Sequence, residues 1–433
     1  MSRLETTNRS LTDENRKIKV MLVDDSAVVR GLLSRWLSAE ENVEVVARCH
    51  NGLQAIKEIA EVKPTLVILD IEMPEMDGLE ALPHLLRACP DSRILIASSL
   101  STKNAEVSLN ALAKGAHDYI AKPSSNSGLS TSNEFRVDLI TRINALCVGR
   151  GGRAKMLTER AKPFVSTSAS SLRSKLEPEP ELATPRKAET AKAETAKAAC
   201  SVIASGREKL NALRSVKAEI AKTVLGAPET KNLVSFKNGK PAILCIGSST
   251  GGPRALQQVL QDAAPALNKI PVVLTQHMPK AFTTVFADHL NKACVLNVKE
   301  AEHGDVLKPG HVYVAPGDRH LVFDKSSGAV RIVLDDGPQV NFCKPAVDKM
   351  FTSISEIYGD KVLSVILTGM GKDGVCGGKD IVDRGGNVLV QDAQSSIVWG
   401  MPGAAYKAGI AAAQLPLDSI GQKITKIIQE GSL

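Results

Sequence analysis

The 433-residue sequence is poor in aromatic side chains, which make up 3% of the chain. Proteins that bind single-stranded nucleic acid stack bases on aromatic rings set among basic residues, so this shortage disfavours such a function. The net charge of +7 does not favour it either, because residues 150–240 hold 19 Lys and Arg against 9 Asp and Glu. The C-terminal part contains no helix-turn-helix pattern, which disfavours a DNA-binding regulator. We therefore expect no nucleic acid partner.

Paired cysteines and long apolar runs are also lacking. The 8 cysteines form no C-x-x-C pair, which disfavours a disulfide framework or a zinc site and is typical of a reduced protein. The first 17 residues are polar and carry both signs of charge, unlike a signal peptide. No apolar run approaches the ~20 residues that span a bilayer. We expect a cytoplasmic protein that is not embedded in a membrane.

The chain from residue 18 to about 146 alternates apolar runs with amphipathic helical segments. The apolar runs predict strands at 18–23, 43–47, 66–69, 93–97 and 118–121. Strands that alternate with helices form a parallel sheet with helices on both faces. We therefore predict a five-stranded, doubly wound α/β domain.

Polar residues follow four of these strands: Asp24 and Asp25, Asp70, Ser98, and Lys122. The carboxyl edge of an open parallel sheet is where ligands bind. Clustered carboxylates repel one another and need a cation, and hard oxygen ligands favour Mg²⁺. A carboxylate beside Mg²⁺ can accept a phosphoryl group, whose charge the hydroxyl and the lysine would help to offset.

Residues 18–141 resemble a bacterial response-regulator receiver domain. The resemblance rests on the residues above together with the turn Met73-Pro74…Asp77-Gly78 and the pair Lys122-Pro123. It implies that a histidine kinase phosphorylates Asp70 and that Asp24, Asp25 and Asp70 bind Mg²⁺. It also implies that Ser98, where many receivers have Thr, and Lys122 read out the acyl phosphate.

Residues 142–238 differ in composition from the chain on either side. They contain Ser/Thr and Pro clusters and a Lys/Ala/Glu repeat at 187–197. Too few apolar residues are present to offset the entropy of ordering, so we expect a flexible linker. Apolar residues at helical spacing indicate a helix at 203–225.

The second folded part begins with an apolar run, 243–246, that ends at Gly247-Ser248-Ser249-Thr250-Gly251. This stretch fits the G-x-S-x-G elbow, in which glycines let the backbone bend sharply and expose a serine. Ser249 is therefore a candidate nucleophile. The alternative is a loop whose Ser and Thr cap the following helix.

A histidine and an aspartate follow two further predicted strands: His277 after 270–275, and Asp373 after 361–368. If the strands are parallel neighbours, Ser249, His277 and Asp373 share one sheet edge, as a nucleophile, base and orienting carboxylate must. Backbone N–H groups of the Gly-rich turns, at Thr250 and Met370, are candidates to bind an oxyanion.

One alternative function, nucleotide binding, would use the loop that carries Asp373. Gly369–Gly374 matches G-x-G-x-x-G after a strand, and Asp392 follows about 20 residues later, as in dinucleotide-binding folds. Asp373 would, however, place a negative charge where the pyrophosphate should bind. The alternative function is thus a receiver-controlled nucleotide-binding module.

Residues 240–425 resemble the catalytic domain of the chemotaxis protein-glutamate methylesterase family. The shared motifs are Gly247–Gly252, Thr275–Pro279, Ala315–Asp318, Asp336–Pro338 and Leu367–Gly374. The resemblance implies cofactor-free hydrolysis of γ-glutamyl methyl esters on the cytoplasmic domains of chemoreceptors, often with deamidation of receptor glutamines. It implies a chemotaxis histidine kinase as phosphodonor and an unphosphorylated receiver that covers the active site.

The predicted organisation has four parts. A polar tail at 1–17 precedes the receiver at 18–141, the linker at 142–238 and the catalytic domain at 239–433. For the last we expect a second doubly wound α/β fold with a mainly parallel sheet and a small β insertion, with short β pieces at 304–309, 312–316 and 320–324. Ser248, where the family frequently has Ala, raises the question of which serine attacks; the elbow geometry and the motif alignment favour Ser249.

Overall fold

The computed structural model describes residues 17–99, 101–122, 129–147, 233–325 and 328–433. The predicted tail up to residue 16, the Lys/Ala/Glu repeat and the predicted helix at 203–225 lie outside these ranges.

The N-terminal part is a parallel sheet with helices on both faces. Its strands are β1 (Ile18–Val23), β2 (Val43–Cys49), β3 (Leu66–Asp70), β4 (Arg93–Ser99) and β5 (Asp118–Lys122). Its helices are α1 (Ala27–Ser38), α2 (Gly52–Val62), α3 (Gly78–Ala88), α4 (Thr102–Ala113) and α5 (Leu129–Cys147). The strand order is β2-β1-β3-β4-β5, and every pair is parallel. The predicted five-stranded fold is confirmed.

Polar residues in the loops that follow β1, β2 and β3 set the starts of the next helices. Ser26, Asn51 and Asp77 each accept a hydrogen bond from a backbone N–H in the first turn of α1, α2 and α3. Such caps satisfy donors that the helix itself leaves unpaired. They fix the point where the chain turns from strand to helix, at the edge that carries the acidic residues.

The C-terminal part contains a larger sheet. Its strands are β6 (Ile243–Ser248), β7 (Val272–Gln276), β8 (Asn297–Glu300), β9 (His311–Val314), β10 (His320–Asp324), β11 (Arg331–Asp335), β12 (Val362–Ile366), β13 (Asn387–Gln391) and β14 (Ala413–Leu415). Its helices are α6 (Gly252–Leu267), α7 (Lys280–Ala293), α8 (Val347–Tyr358), α9 (Val375–Asp383), α10 (Met401–Lys407) and α11 (Leu417–Glu430), with a 3-10 turn at Gly359–Lys361.

Seven of these strands form a parallel sheet in the order β14-β13-β12-β6-β7-β9-β8. Strands β10 and β11 form a separate antiparallel hairpin; the β piece predicted at 320–324 is β10, whereas the piece predicted at 312–316 overlaps β9 of the main sheet. The segment 304–309, expected to be a short β piece, forms a single bridge between Val306 and Arg331, and its backbone hydrogen bonds to Val330 and Ile332 do not extend into a regular strand. Pro309 has no backbone N–H to contribute to a ladder.

Three central strands bring the predicted catalytic segments together. Strand β6 is buried along its whole length and pairs with β12 on one side and β7 on the other. The register aligns Gly247 with Ile366 and Ser248 with Gln276. Because all three strands are parallel, the residues that follow them lie at one edge of the sheet.

The receiver packs directly on this edge. Helix α4 contacts α6 and α7, and the Tyr119 ring stacks on the Phe282 ring with centroids 4.6 Å apart and planes 16° apart. Met370, Ile397 and Val398 from the catalytic part join the apolar cluster beneath β5 and α5. The two parts therefore share a hydrophobic interface beside the candidate site.

The packing of α8 against α9 predicts opposite effects for two Gly→Ala changes in helices. A Cβ at Gly377 would lie 2.6 Å from the carbonyl oxygen of Asp348, whereas a Cβ at Gly31 meets nothing within 4 Å. We expect Gly377→Ala to destabilise the fold by about 1–3 kcal/mol through overpacking. Gly31→Ala should stabilise it by about 0.5–1 kcal/mol. Urea unfolding of both variants checks this, and effects of the same sign would contradict the packing described.

Candidate active site

The turn between β6 and α6 holds Ser249 in place. Gly251 has φ +76°, in the left-handed region, and a Cβ there would lie 2.7 Å from Ile397. At Gly252 a Cβ would lie 2.0 Å from the Gln276 side-chain oxygen. Only glycine fits these positions, so the backbone can bend sharply and leave Ser249 partly exposed. The N-cap of α6 is Gly251, so the predicted alternative, a Ser or Thr cap, is wrong.

The two adjacent serines have different surroundings. Ser248 is fully buried, and its hydroxyl donates to Gln276 Oε1 at 2.7 Å. Gln276 in turn donates from Nε2 to the carbonyl oxygens of Ser249 and His277. Among the residues that the structure describes, none hydrogen-bonds the Ser249 hydroxyl. Ser249 therefore has the available hydroxyl, while Ser248 helps to fix the strand ends.

His277 lies beside this elbow and is oriented by Asp373. The His277 backbone N–H donates to the carbonyl oxygen of Ser248 at 3.1 Å, which places His277 next to the turn. The imidazole Nε2 lies 2.8 Å from Asp373 Oδ2. With the proton on Nε2, the lone pair of Nδ1 is left to accept a proton from a hydroxyl. The structure thus brings all three predicted residues to one edge, with the Ser249 to His277 hydrogen bond not yet formed.

The Asp373 carboxylate is held from several directions. It accepts hydrogen bonds from the backbone N–H groups of Val347, Asp348 and Gly374 and from Asn341 Nδ2, besides His277. Two of these amides open helix α8, whose N-terminus carries partial positive charge. Burial alone would raise the pKa of Asp373, but the His277 and backbone hydrogen bonds outweigh it and lower the pKa. The carboxylate is therefore ionised and fixed.

Asp348, at the start of α8, accepts hydrogen bonds from the start of α9, as Asp373 does from the start of α8. Its Oδ1 accepts from the N–H groups of Gly374 and Gly377 at the start of α9, and Asn341 Nδ2 bridges Asp348 and Asp373. Burial raises the pKa of Asp348, opposed by the Gly377 amide and increased by the nearby charge of Asp373. The helix N-terminus that a pyrophosphate would need is thus occupied by a side chain of the chain itself. The predicted nucleotide-binding alternative is not supported.

The charge state of His277 depends on these neighbours. Burial opposes protonation of the ring, but the hydrogen bonds to Asp373 and Cys343 outweigh it and raise the pKa of His277 to about 9. A general base works in its neutral form. We therefore expect the fraction of active base to rise with pH up to about 9.

The predicted oxyanion donors lie on both sides of Ser249. A Cβ at Gly369 would lie 2.8 Å from the Ser249 Cβ, so the turn carrying Met370 passes directly beside the serine. Within the described part of the chain, the backbone N–H groups of Thr250 and Met370 donate no hydrogen bond. Both are available to an oxyanion near Ser249.

The receiver contacts the residue next to Ser249. Thr250 Oγ1 donates to Asp118 Oδ2 at 3.1 Å, and Arg142 Nη1 lies 2.6 Å from the same oxygen. The receiver thus contacts this edge of the sheet, and the covering of the active site that the family resemblance implies stays a prediction. No spacing in the sequence identifies Asp118 or Tyr119 as the contacting residues.

Sequence reasoning also missed three side chains of the site. Asp348 had only a weak signal: it lies in a segment, 347–351, whose other residues apart from Lys349 are apolar. Asn341 and Cys343 follow the motif Asp336–Pro338 without any signal of their own. Cys343 Sγ lies 3.4 Å from His277 Nδ1.

The structure brings the predicted acidic residues of the receiver and Lys122 together. Lys122 Nζ lies 2.7 Å from Asp24 Oδ2 and 2.8 Å from Asp70 Oδ2. Ligand oxygens of Asp24, Asp25 and Asp70 all lie within 4.8 Å of one another. Burial raises the pKa of Asp70 to about 6, although Lys122 opposes the rise. This oxygen-only set fits Mg²⁺.

Ser98, also predicted for this site, is buried at the end of β4. Its hydroxyl lies 3.4 Å from the carbonyl oxygens of Ser99 and Asn104. A new acceptor at Asp70 would therefore have to draw the hydroxyl away from two backbone partners.

None of the helices in the described ranges is both long and apolar enough to cross a bilayer.

Comparison with known proteins follows the same division of the chain. A family model described as CheB methylesterase matches residues 244–424, and one described as response regulator receiver domain matches residues 20–132. A protein-glutamate methylesterase/protein-glutamine glutaminase of Bradyrhizobium diazoefficiens is 44% identical over 410 residues, which covers 95% of this chain and 94% of the relative. One of Rhodopseudomonas palustris is 42% identical over 412 residues, with the same coverage. The crystal structure of the Thermotoga maritima CheB methylesterase catalytic domain is 41% identical, covers 44% of this chain and 100% of that chain, and has a TM-score of 0.42.

The site geometry predicts how a fluorophosphonate should react. We expect labelling at Ser249, with a rate that falls about tenfold per pH unit below the His277 pKa of about 9, because only neutral imidazole accepts the proton. Asp373→Asn should slow labelling by about 10⁴-fold, since the ring loses its fixed tautomer. Peptide mapping and a pH series measure both, with Ser248→Ala as the matched control. A label on Ser248, or a rate independent of pH, would contradict the assignment.

Proposed function

The chain belongs to the receiver-linked protein-glutamate methylesterase family of chemotaxis, and on this premise we propose that Ser249, His277 and Asp373 are its catalytic residues. It is a carboxylic ester hydrolase under phosphorylation control. One observation carries the residue assignment: the imidazole of His277, hydrogen-bonded to Asp373 at 2.8 Å, lies just beyond the end of β7, the strand that pairs with β6 before the Ser249 elbow. No competing nucleophile in the described site has a free hydroxyl in this position.

The reaction follows from the placement of these groups. Ser249 Oγ attacks the ester carbonyl carbon while His277 Nδ1 takes its proton, and Asp373 stabilises the imidazolium that forms. The N–H groups of Thr250 and Met370 bind the oxyanion. His277 then returns the proton to the departing oxygen, and methanol leaves. Water attacks the acyl-enzyme with His277 again as base, which frees a carboxylate and regenerates Ser249.

The substrates we propose are glutamate γ-methyl esters on the cytoplasmic domains of chemoreceptors. The same steps convert a glutamine side chain to glutamate, with ammonia as the leaving group in place of methanol. The relatives' names include both activities. Every atom in either reaction comes from substrate, enzyme or water, so ester hydrolysis requires no cofactor.

The receiver would control this chemistry through strand β5. At its C-terminal end, Lys122 contacts Asp70, the proposed phosphorylation site. At its N-terminal end, Asp118 and Tyr119 contact Thr250 and Phe282 of the catalytic part. A phosphoryl group on Asp70 would compete for Lys122 and Ser98. The loss of the Lys122 contact would shift β5, the strand whose other end contacts the catalytic part. Release of Thr250 would then free the elbow for the contact between Ser249 and His277.

The phosphorylation step requires a metal ion and a donor. Asp24, Asp25 and Asp70 would hold Mg²⁺, which offsets the negative charge of the incoming phosphoryl group. We propose a chemotaxis histidine kinase as the donor and the cytoplasm as the location. The division into receiver at 18–141, linker at 142–238 and catalytic domain at 239–433 is likewise our proposal.

Loss of the nucleophile tests the assignment directly. Ser249→Ala should reduce methanol release from methylated receptor by about 10⁶-fold, because no other group in the relay can form the acyl-enzyme. Ser248→Ala removes only a buried hydrogen bond and should lower turnover far less. Methanol release from both variants, normalised to folded protein, measures the difference. Turnover by Ser249→Ala close to that of the parent would remove Ser249 from the mechanism.

Weakening the receiver interface should raise activity without phosphorylation. Tyr119→Ala removes a stacked pair worth about 0.5–1.5 kcal/mol, so we expect roughly a two- to tenfold increase in basal methanol release. Tyr119→Phe keeps the stacked ring, so its basal rate of methanol release should equal that of the parent. Asp70→Ala, treated with a small acyl phosphate, gives the basal rate of methanol release in a protein that cannot be phosphorylated at residue 70. Equal basal rates in Tyr119→Ala and Tyr119→Phe would show that this contact does not hold the cover closed.

A further inference from the structure

Cys343 and His277 together form a feature that ester hydrolysis does not use. Cys343 Sγ lies 3.4 Å from His277 Nδ1, on the ring edge opposite Asp373. One ligand atom each from His277, Cys343 and Asp373 lies within 4.8 Å of the others. We propose that this pair is an inhibitory binding site for a thiophilic divalent cation such as Zn²⁺, which would be held by Cys343 Sγ and His277 Nδ1.

The separation of the two atoms suits zinc coordination. Zinc bonds to sulfur at about 2.3 Å and to imidazole nitrogen at about 2.0–2.1 Å, so a tetrahedral centre sets these ligands about 3.6 Å apart. The observed 3.4 Å requires only a small movement of the thiol. Binding exchanges the thiol proton, and any proton on His277 Nδ1, for the metal ion, and these protons leave to solvent.

The ring is already oriented as a metal ligand would be. Histidines that bind metals commonly donate their second ring N–H to a carboxylate, which fixes the tautomer and strengthens the ligand. Asp373 has this place at Nε2, 2.8 Å away, and is itself held by backbone amides of Val347 and Asp348. The carboxylate that prepares His277 as a base therefore also prepares it as a ligand.

The loop that carries Cys343 is fixed on both sides. Asn341 is tied to Asp373 and Asp348 through its side-chain amide. Buried His320 contacts the Pro338 carbonyl oxygen through Nε2 and accepts the Ala346 N–H at Nδ1. Cys343 is thus held at the ring. It and His277 are both partly exposed, so a hydrated cation can reach them and keep water in its remaining positions.

Two cation sites of opposite preference then exist in one chain. The receiver offers carboxylate oxygens, which suit Mg²⁺, while Cys343 and His277 offer sulfur and nitrogen, which suit Zn²⁺. The absence of C-x-x-C pairs disfavoured a structural zinc site, and the site proposed here is of another kind, open and built from two distant segments. A cation at Nδ1 would take the lone pair that must accept the Ser249 proton, so turnover would stop.

The experiment uses the full chain in excess Mg²⁺. Zn²⁺ should inhibit methanol release, EDTA should reverse the inhibition, and Cys343→Ser should need about tenfold or more additional Zn²⁺ for the same fractional inhibition. Cys376→Ser, which removes an exposed thiol in the first turn of α9, is the matched control and should behave as the parent. Fractional inhibition is taken within each variant, so differences in basal rate do not enter. Cys343→Ala is a second variant in case the serine is poorly folded.

Cobalt provides a readout that does not depend on the proposed function. Co²⁺ bound to thiolate gives a charge-transfer absorption band in the near ultraviolet, which we expect in the parent and in Cys376→Ser but not in Cys343→Ser. The inhibition assay rests on the proposed esterase activity, and absence of methanol release without zinc would refute that activity. The cobalt band would still report whether the metal site exists. Equal inhibition of Cys343→Ser and parent, no inhibition of the parent, or no thiolate band would overturn the proposal.

Discussion

The structure of the site depends on the hydrogen bonding of one buried carboxylate. Asp373 accepts the Nε2–H of His277 at 2.8 Å and is held by three backbone N–H groups and Asn341. Burying a charge is costly unless it is paired and fully hydrogen-bonded, and here two helix N-termini and an imidazole meet that requirement. Asp348 makes the reverse contact to α9. The helix pair α8 and α9 and the catalytic ring are therefore positioned by the same two acids.

The receiver contacts the catalytic part at the same sheet edge that carries Ser249 and His277. Strand β5 of the receiver runs from the Thr250 and Phe282 contacts to the Lys122 contact with Asp70, a length of five residues. A rigid strand can transmit a small displacement from one end to the other without an intervening pathway of side chains. This arrangement explains how a phosphoryl group distant from Ser249 in the sequence could control access to it.

Much of this arrangement was predictable from the sequence. Periodic apolar runs indicated both parallel sheets, and polar residues at strand ends indicated Asp24, Asp70, Lys122, Ser249, His277 and Asp373, because the end of a parallel strand fixes a side chain at a known edge. Asn341, Cys343 and the Asp118 contact with Thr250 were not predictable. They reach the site through an irregular loop and through packing of two domains, and neither leaves a periodic signal. The short β piece predicted at 304–309 forms only one bridge, because its backbone hydrogen bonds to residues 330–332 do not continue as a regular ladder.

The central claim is that Asp373 fixes the imidazole of His277 with its proton on Nε2 and its lone pair on Nδ1. Nitrogen NMR of the ring above its pKa tests this most directly, with the His277 signals assigned by their loss in His277→Gln. We expect a protonated Nε2 and an unprotonated Nδ1 in the parent protein, and a mixture of both tautomers in Asp373→Asn. A proton on Nδ1 in the parent protein, or the same tautomer with and without the carboxylate, would contradict it.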